Sequence, residues 1–200
     1  MEIQSTKEKI IETSIELFSD KGYDKVSMRD IAAAIGIKAA SIYHHFPSKR
    51  DILKTIYAVC IREHRQESPS PESLLERLET ESVQNLLKNT ELFWPAANRE
   101  RTERVILIAS QRISLDRDSW NFINEYFFEP MRSIWEPLLS KAIERGKIET
   151  LDINIFSLIA SFFAFGAVGF SNSAMKTGRE QWEKGLAMIL SMLKPASKPG

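Results

Sequence analysis

The residues best equipped for chemistry in this 200-residue chain crowd between positions 25 and 54. Six cations, Lys25, Arg29, Lys38, Lys49, Arg50 and Lys54, face only Asp30 and Asp51 there, a local charge of +4 in a chain of zero net charge. Among them stand the hydroxyls of Ser27, Ser41 and Tyr43 and the imidazole of His44. Cations neutralise phosphates, and hydroxyls donate to phosphate oxygens or base edges. Lys49 falls near a helix N-terminus, where phosphate is already favoured. Ala39 and Ala40 can read only by apolar contact, for example with a thymine methyl. The pattern suits nucleic acid, and the neutral overall charge limits indiscriminate adhesion.

Competing chemistries have little support. All three histidines lie in the first 64 residues, and neither a G-x-S-x-G nor a P-loop pattern occurs. The adjacent His44 and His45 point about 100° apart on a helix, so no metal site is expected. His44 is assigned to the phosphate-binding face and His45 to packing beneath it. The single cysteine, Cys60, excludes an internal disulfide and fits a reducing cytoplasm. It falls on an apolar stripe and reads as a small buried hydrophobe. The charged opening MEIQSTKEKIIE is no signal peptide.

The elements that must hold these groups are short helices. In SMRDIAAAIGIKAASIYHHFPSK, residues 27–49, Met28, Ile31, Ala32 and Ile35 form one apolar helical stripe. Ser27 is a good N-cap, and Asp30 occupies the reciprocal capping position. Gly36 supplies the left-handed turn that ends this helix. A second helix follows from Lys38 to His45, stopped by Pro47, with Ile42 and Phe46 as core. Helix, glycine turn, helix is the DNA-binding helix-turn-helix pattern.

The run IAAAIGIKAASIYHHFPSKRDIL, with ELFSDKGY before it at residues 16–23, resembles the N-terminal DNA-binding domain of TetR-family transcriptional regulators. The resemblance rests on Ile31-Ala32, Gly36, a small residue at 40, Ser41, Tyr43, His45-Phe46 and Ser48-Lys49. It implies that the second helix enters the major groove, with Lys38, Ala39, Ala40 and Tyr43 on its leading face. Ser27, Arg29, Ser41, Tyr43, His44 and Lys49 are then placed for the phosphate backbone. Lys38 departs from the family pattern, standing where Ser or Thr is common and forfeiting a cap worth ~1 kcal/mol. Ala40 replaces a frequent glycine.

The remaining chain reads as helices in two domains, 4–64 and 70–194. A first helix spans Thr6 to Asp20 with Thr6 as cap, and a fourth runs from Ser48 to Gln66. SPSPES, residues 68–73, is a linker, after which Ser70 caps the next helix and Pro71 opens it. Helical regions follow at 99–114 and 119–145, where Pro130 and Pro137 start or kink segments. Residues 153–175 carry no charge. Their polar residues and the small stripe Ser157, Ala160, Ser161, Ala164 and Ala167 point to a helix–helix interface rather than a membrane span.

The resemblance implies an all-α protein, a three-helix DNA-binding domain joined to a larger helical ligand-binding and dimerisation domain. Its expected partners are double-stranded operator DNA, a second copy of the chain and a small-molecule effector, with no membrane, metal, cofactor or enzymatic activity. The expected function is that of a cytoplasmic repressor released from a pseudo-palindromic operator by a largely apolar effector. A regulator controlled instead by a protein partner stays open. Candidate effector contacts are Phe93, Trp94, Gln111, Phe122, Tyr126 and Phe163, with Arg112, Asn121 and Asn124 as further polar anchors. Candidate dimer contacts are Ser157, Ser161, Ala164, Ala167, Trp182, Leu186 and Ile189.

Overall fold

A computed structural model describes residues 5–88, 99–160, 184–185 and 187–195. The described residues are helical throughout, apart from turns and an isolated antiparallel bridge between Ile148 and Pro195. The all-α expectation is therefore met. The chain groups into two compact units, one drawn from Met1–Glu63 and Asn98–Phe122, the other from His64–Ala97 and Ile123–Gly200.

In the first unit α1 spans Thr6–Lys21, and its cap is Ser5 rather than Thr6. The Ser5 hydroxyl accepts the Glu8 N–H while the Glu8 carboxylate accepts the Ser5 N–H, which satisfies two helix-end donors at once. A 3-10 turn, Tyr23–Lys25, leads to α2 (Met28–Ala34), α3 (Ala39–His45) and α4 (Lys49–Glu67). Ile10, Ile15, Phe18, Ile31, Ile42, Phe46, Ile52 and Ile56 form the buried core. These are the periodic apolar positions of four consecutive helices, so the core follows from the pattern.

A segment distant in the chain completes this unit. Helix α7 (Arg99–Arg112) packs against α1. Its Val105, Ile106, Ile108 and Ala109 are buried, and its arginines meet the acids of the opening helices. Arg101, 15% exposed, donates to Glu12 of α1 at 2.8 and 3.0 Å and to Glu63 of α4 at 2.7 Å. Arg104 reaches Asp20, and Arg112 bridges Asp24 and Asp116. The apolar run at 105–110 is thus helical because it must lie along another helix. Arg101→Met is expected to lower stability by roughly 1–3 kcal/mol, since it leaves two half-buried carboxylates unpaired. An unfolding midpoint in urea that does not move would contradict this.

The second unit begins at the end of α4. Helix α5 (Pro71–Arg77) starts as expected, with the Ser70 hydroxyl accepting the Ser73 N–H and Pro71 in the first turn. It packs on α9 (Glu136–Glu144), and α6 (Val83–Lys88) lies between them in sequence. Arg117 to Glu144 is one helical run, α8 (Arg117–Ile123) continuing through π-helical turns at Asn124–Phe128 and Met131–Trp135 into α9. Pro130 lies between the two widened turns, where its missing N–H and its ring break the regular bonding. Leu74, Leu78, Leu86, Leu87, Tyr126, Phe127, Trp135, Leu139 and Phe156 are buried in this unit.

Residues 153–160 are helical, and the rest of the uncharged stretch at 153–175 lies outside the described residues. Among the described residues no helix is long and apolar enough to cross a membrane.

Candidate nucleic-acid interface

The interface is built on the α2–α3 corner. Ser27 and Asp30 close a capping box at the start of α2, with Ser27 N–H donating to the carboxylate at 2.7 Å and the hydroxyl accepting Asp30 N–H at 3.2 Å. The Ser27 hydroxyl also donates to that carboxylate at 2.6 Å, and these bonds hold the Asp30 carboxyl below its usual pKa. Ser27 therefore serves the helix end, with its one hydroxyl proton already directed at Asp30. Gly36 takes φ +73°, and the Ile37 N–H returns to the Ala32 carbonyl at 2.9 Å. A side chain at residue 36 would be strained by that φ alone.

Helix α3 is anchored by Ile42, which is fully buried, and by Phe46 just past its end. About this anchor the opposite face is open. Lys38, Ala40, Tyr43 and His44 are exposed, Tyr43 at 54%, while Ala39 and Ser41 are half-buried. Arg29 of α2 is exposed as well. Lys38 sits at the N-cap in extended conformation and makes no side-chain cap bond. Lys38→Ser is expected to raise stability by ~1 kcal/mol through the regained cap. It should also flatten the salt dependence of DNA binding by about one phosphate contact. An unchanged salt slope would remove Lys38 from the interface.

Two site residues have other duties. The Lys49 ammonium donates to the main-chain carbonyls of Tyr23 and Val26, both at 2.7 Å, and lies 4.2 Å from the Tyr23 ring centroid. It ties the start of α4 to the turn after α1, and partial burial lowers its pKa. The expectation of a phosphate-facing lysine is corrected here: two of its three N–H donors are already satisfied internally. Arg50, also in the basic stretch, pairs with Asp118 at 2.7 Å. His45 is a second correction, exposed rather than packed beneath the motif. The backbone turns extended at Phe46, and that ring fills the inner space instead.

The expected effector contacts fall only partly among the described residues. Gln111 is exposed on α7, and Phe122 is buried in the first unit, stacked on Tyr57 at 4.5 Å. Tyr126 is buried in the second unit. Of the further anchors, Arg112 is occupied by Asp24 and Asp116, Asn124 donates to Glu129, and Asn121 is exposed. Phe93, Trp94 and Phe163 lie outside the described residues.

One polar group that the residue pattern could have marked is His64. It continues the i+4 series Ile52, Ile56, Cys60 along α4 and is 3% exposed. Its ring stacks on Tyr126 at 4.3 Å. Burial, with Arg65 beside it, lowers its pKa to about 4. The folded chain thus resists a proton that the unfolded chain accepts near pH 6.5, so stability falls as pH drops from about 6.5 towards 4. Between pH 7 and 5 the protein is expected to lose ~2 kcal/mol more than a His64→Leu variant. Parallel urea titrations with equal losses would show that His64 is not held neutral. Cys60 behaves as expected, buried with its thiol pushed up to about 12 by desolvation.

Of the candidate dimer contacts, Ser157 and Ile189 are among the described residues. Ser157 and Ala160 of the small stripe are buried, as is Ile189. The outward apolar groups are Ile155 at 55%, Leu158 at 54% and Ile159 at 41%, together with Met188 and Met192. Ser161, Ala164, Ala167, Trp182 and Leu186 lie outside the described residues.

Residues 10–56 match the sequence model of the tetR family of bacterial regulatory proteins. Over 54 residues, 27% of this chain, it is 48% identical to the biofilm operon icaADBC HTH-type negative transcriptional regulator IcaR of Staphylococcus aureus (strain Newman). The Staphylococcus epidermidis counterpart is 43% identical over the same length. The aligned segment spans 29% of those relatives' length. A putative transcriptional regulator from Saccharomonospora viridis, solved in complex with choline, superposes with a TM-score of 0.69 at 21% identity, covering 92% of this chain and 95% of that one. The TetR family regulator PfmR from Thermus thermophilus gives 0.69 at 22% identity, covering 91% and 97%. The two structures share the fold with this chain.

Proposed function

We propose, on the match of residues 10–56 to the tetR family of bacterial regulatory proteins, that the protein is a DNA-binding transcriptional repressor acting as a homodimer. The observation that carries the reading is the exposed set Lys38, Ala40, Tyr43 and His44 around the buried Ile42 anchor of α3. Helix α3 enters the major groove, where Tyr43 and Lys38 supply donors and Ala40 supplies apolar contact. Arg29 meets phosphate. Two copies place two such helices about one DNA turn, ~34 Å, apart on a pseudo-palindromic operator. The copies meet through the apolar strip of Ile155, Leu158 and Ile159, which the isolated chain leaves in water.

Negative regulation is the activity named for the Staphylococcus relatives, and a bound small molecule is recorded for the Saccharomonospora viridis structure. By extension, an effector bound in the second unit favours a dimer geometry with the wrong half-site spacing. It does so through differential affinity for the two states. Helix α4, whose residues are divided between the two units, is one direct covalent route, and the helical run from Arg117 is another.

Selection from random duplex DNA tests the reading. The selected sites should be two-fold symmetric, and Tyr43→Ala should weaken binding to them by about 1–3 kcal/mol without changing the melting temperature. Recovery of no enriched sequence, with binding equal to that of bulk DNA, would remove the function.

A further inference from the structure

We propose that the second unit binds a neutral aromatic molecule bearing a hydroxyl group, which hydrogen-bonds to His64 Nδ1 beside the Tyr126 ring. The inference rests on the effector-binding reading above and names the chemistry of that site.

The starting observation is a buried polar atom with no hydrogen-bond partner. His64 is 3% exposed, and its Nδ1 meets neither a donor nor an acceptor among the described residues. An unmet buried polar group costs ~1–3 kcal/mol, so a ligand that supplies the missing bond recovers that amount on binding. A plain apolar side chain at this point of the Ile52, Ile56, Cys60 stripe would pack without that cost.

The surroundings define the ligand's body. His64 stacks on Tyr126 with 25° between the planes, and Tyr126 meets Phe127 edge-on at 5.0 Å. Aromatic surroundings favour an aromatic body in a molecule bound beside His64, through edge and face contacts. Tyr126 and Phe127 are carried on the π-helical turn Asn124–Phe128, a geometry held at some loss of regular bonding and frequent where helices build binding sites.

Charge defines its polarity. Among the described residues of this unit the buried side chains with polar atoms are His64, Ser157, Tyr126 and Trp135, with no buried carboxylate, lysine or arginine. The nearby ions Arg65 and Glu125 pair with each other at 3.2 Å on the surface. An organic cation or anion would therefore lose its hydration with no buried counter-charge among the described residues. His64 itself stays neutral at pH 7, its pKa being about 4. One ring nitrogen then carries a proton and the other accepts, and a hydroxyl satisfies Nδ1 in either tautomer.

Full-length protein with 15N-labelled histidine tests the site, using phenol as the probe, with benzene and tetramethylammonium beside it. Phenol is expected to shift the His64 Nδ1 resonance saturably, and to bind wild type about tenfold more tightly than His64→Leu, the effect of one hydrogen bond. Benzene should bind the two proteins equally. A His64 resonance unmoved by phenol, equal phenol affinity in His64→Leu, or preferential binding of tetramethylammonium would each overturn the proposal. The wild-type resonance decides even if the variant fails to fold. Operator affinity in the same sample separates the two readings. Phenol bound at His64 without any change in operator affinity upholds the site and defeats the effector role. An unmoved His64 in a protein that still binds operator defeats the site alone.

Discussion

A Leu158→Arg, Ile159→Arg double variant is expected to sediment as a monomer and to lose about 10²–10⁴-fold in affinity for a two-half-site operator. Affinity for a single half-site should be unchanged. Leu158 and Ile159 are 54% and 41% exposed, so charge at these positions disturbs little within the folded chain. Their neighbours Phe156, Ser157 and Ala160 turn inward and hold the helix in place. A helix that buries one apolar face and offers a second to water marks that second face as a surface for another to cover. In the proposed dimer that surface is the same strip on a second copy. Two guanidinium groups brought face to face with two more would be desolvated without partners. The large loss arises because linked half-sites turn the second binding event into an intramolecular one. A variant that still sediments as a dimer would relocate the interface.

Phe18→Ala is expected to destabilise the protein by about 3–5 kcal/mol, a large part of the ~5–15 kcal/mol that holds a domain together. Phe18 is fully buried in α1, and its ring meets Tyr23 edge-on at 5.0 Å. Tyr23 in turn lies under two cations, Lys49 at 4.2 Å and Arg112 at 4.0 Å from its ring centroid. The cavity would therefore open beneath the point where α1, the start of α4 and α7 are tied together. The carbonyls of Tyr23 and Val26 that hold Lys49 belong to the same turn. Loss of operator binding should track the fraction unfolded. A urea midpoint shift worth under ~1 kcal/mol would show that the neighbouring side chains collapse into the space.

Much of the helix-turn-helix corner is legible in one dimension because its determinants are local. The Ser27–Asp30 box, the left-handed Gly36 and the uncapped Lys38 are matters of residues close together in the chain. Ile42 and Phe46 are recognisable as core from spacing alone. Errors arise where a side chain has two local options. Ser5 and Thr6 could each cap α1, and Ser5 prevails because Glu8 completes the reciprocal bond. Lys49 could face phosphate or fold back. The backbone carbonyls it meets, those of Tyr23 and Val26, lie far earlier in the chain, and no spacing rule places them there.

The sequence by itself determined an all-helical chain, a helix-turn-helix with its caps and its turn glycine, and a locally basic stretch on a neutral protein. These follow from helical periodicity and from hydrogen bonds between near neighbours. Tertiary structure alone decided that α7 joins the first unit through Arg101, Arg104 and Arg112. It also decided that His64 is buried against Tyr126, and that the small face of 153–160 turns inward while its bulky face stays in water. The reason is common to all three. Periodicity reveals that a helix has two faces, but which partner covers each depends on segments far away in the chain.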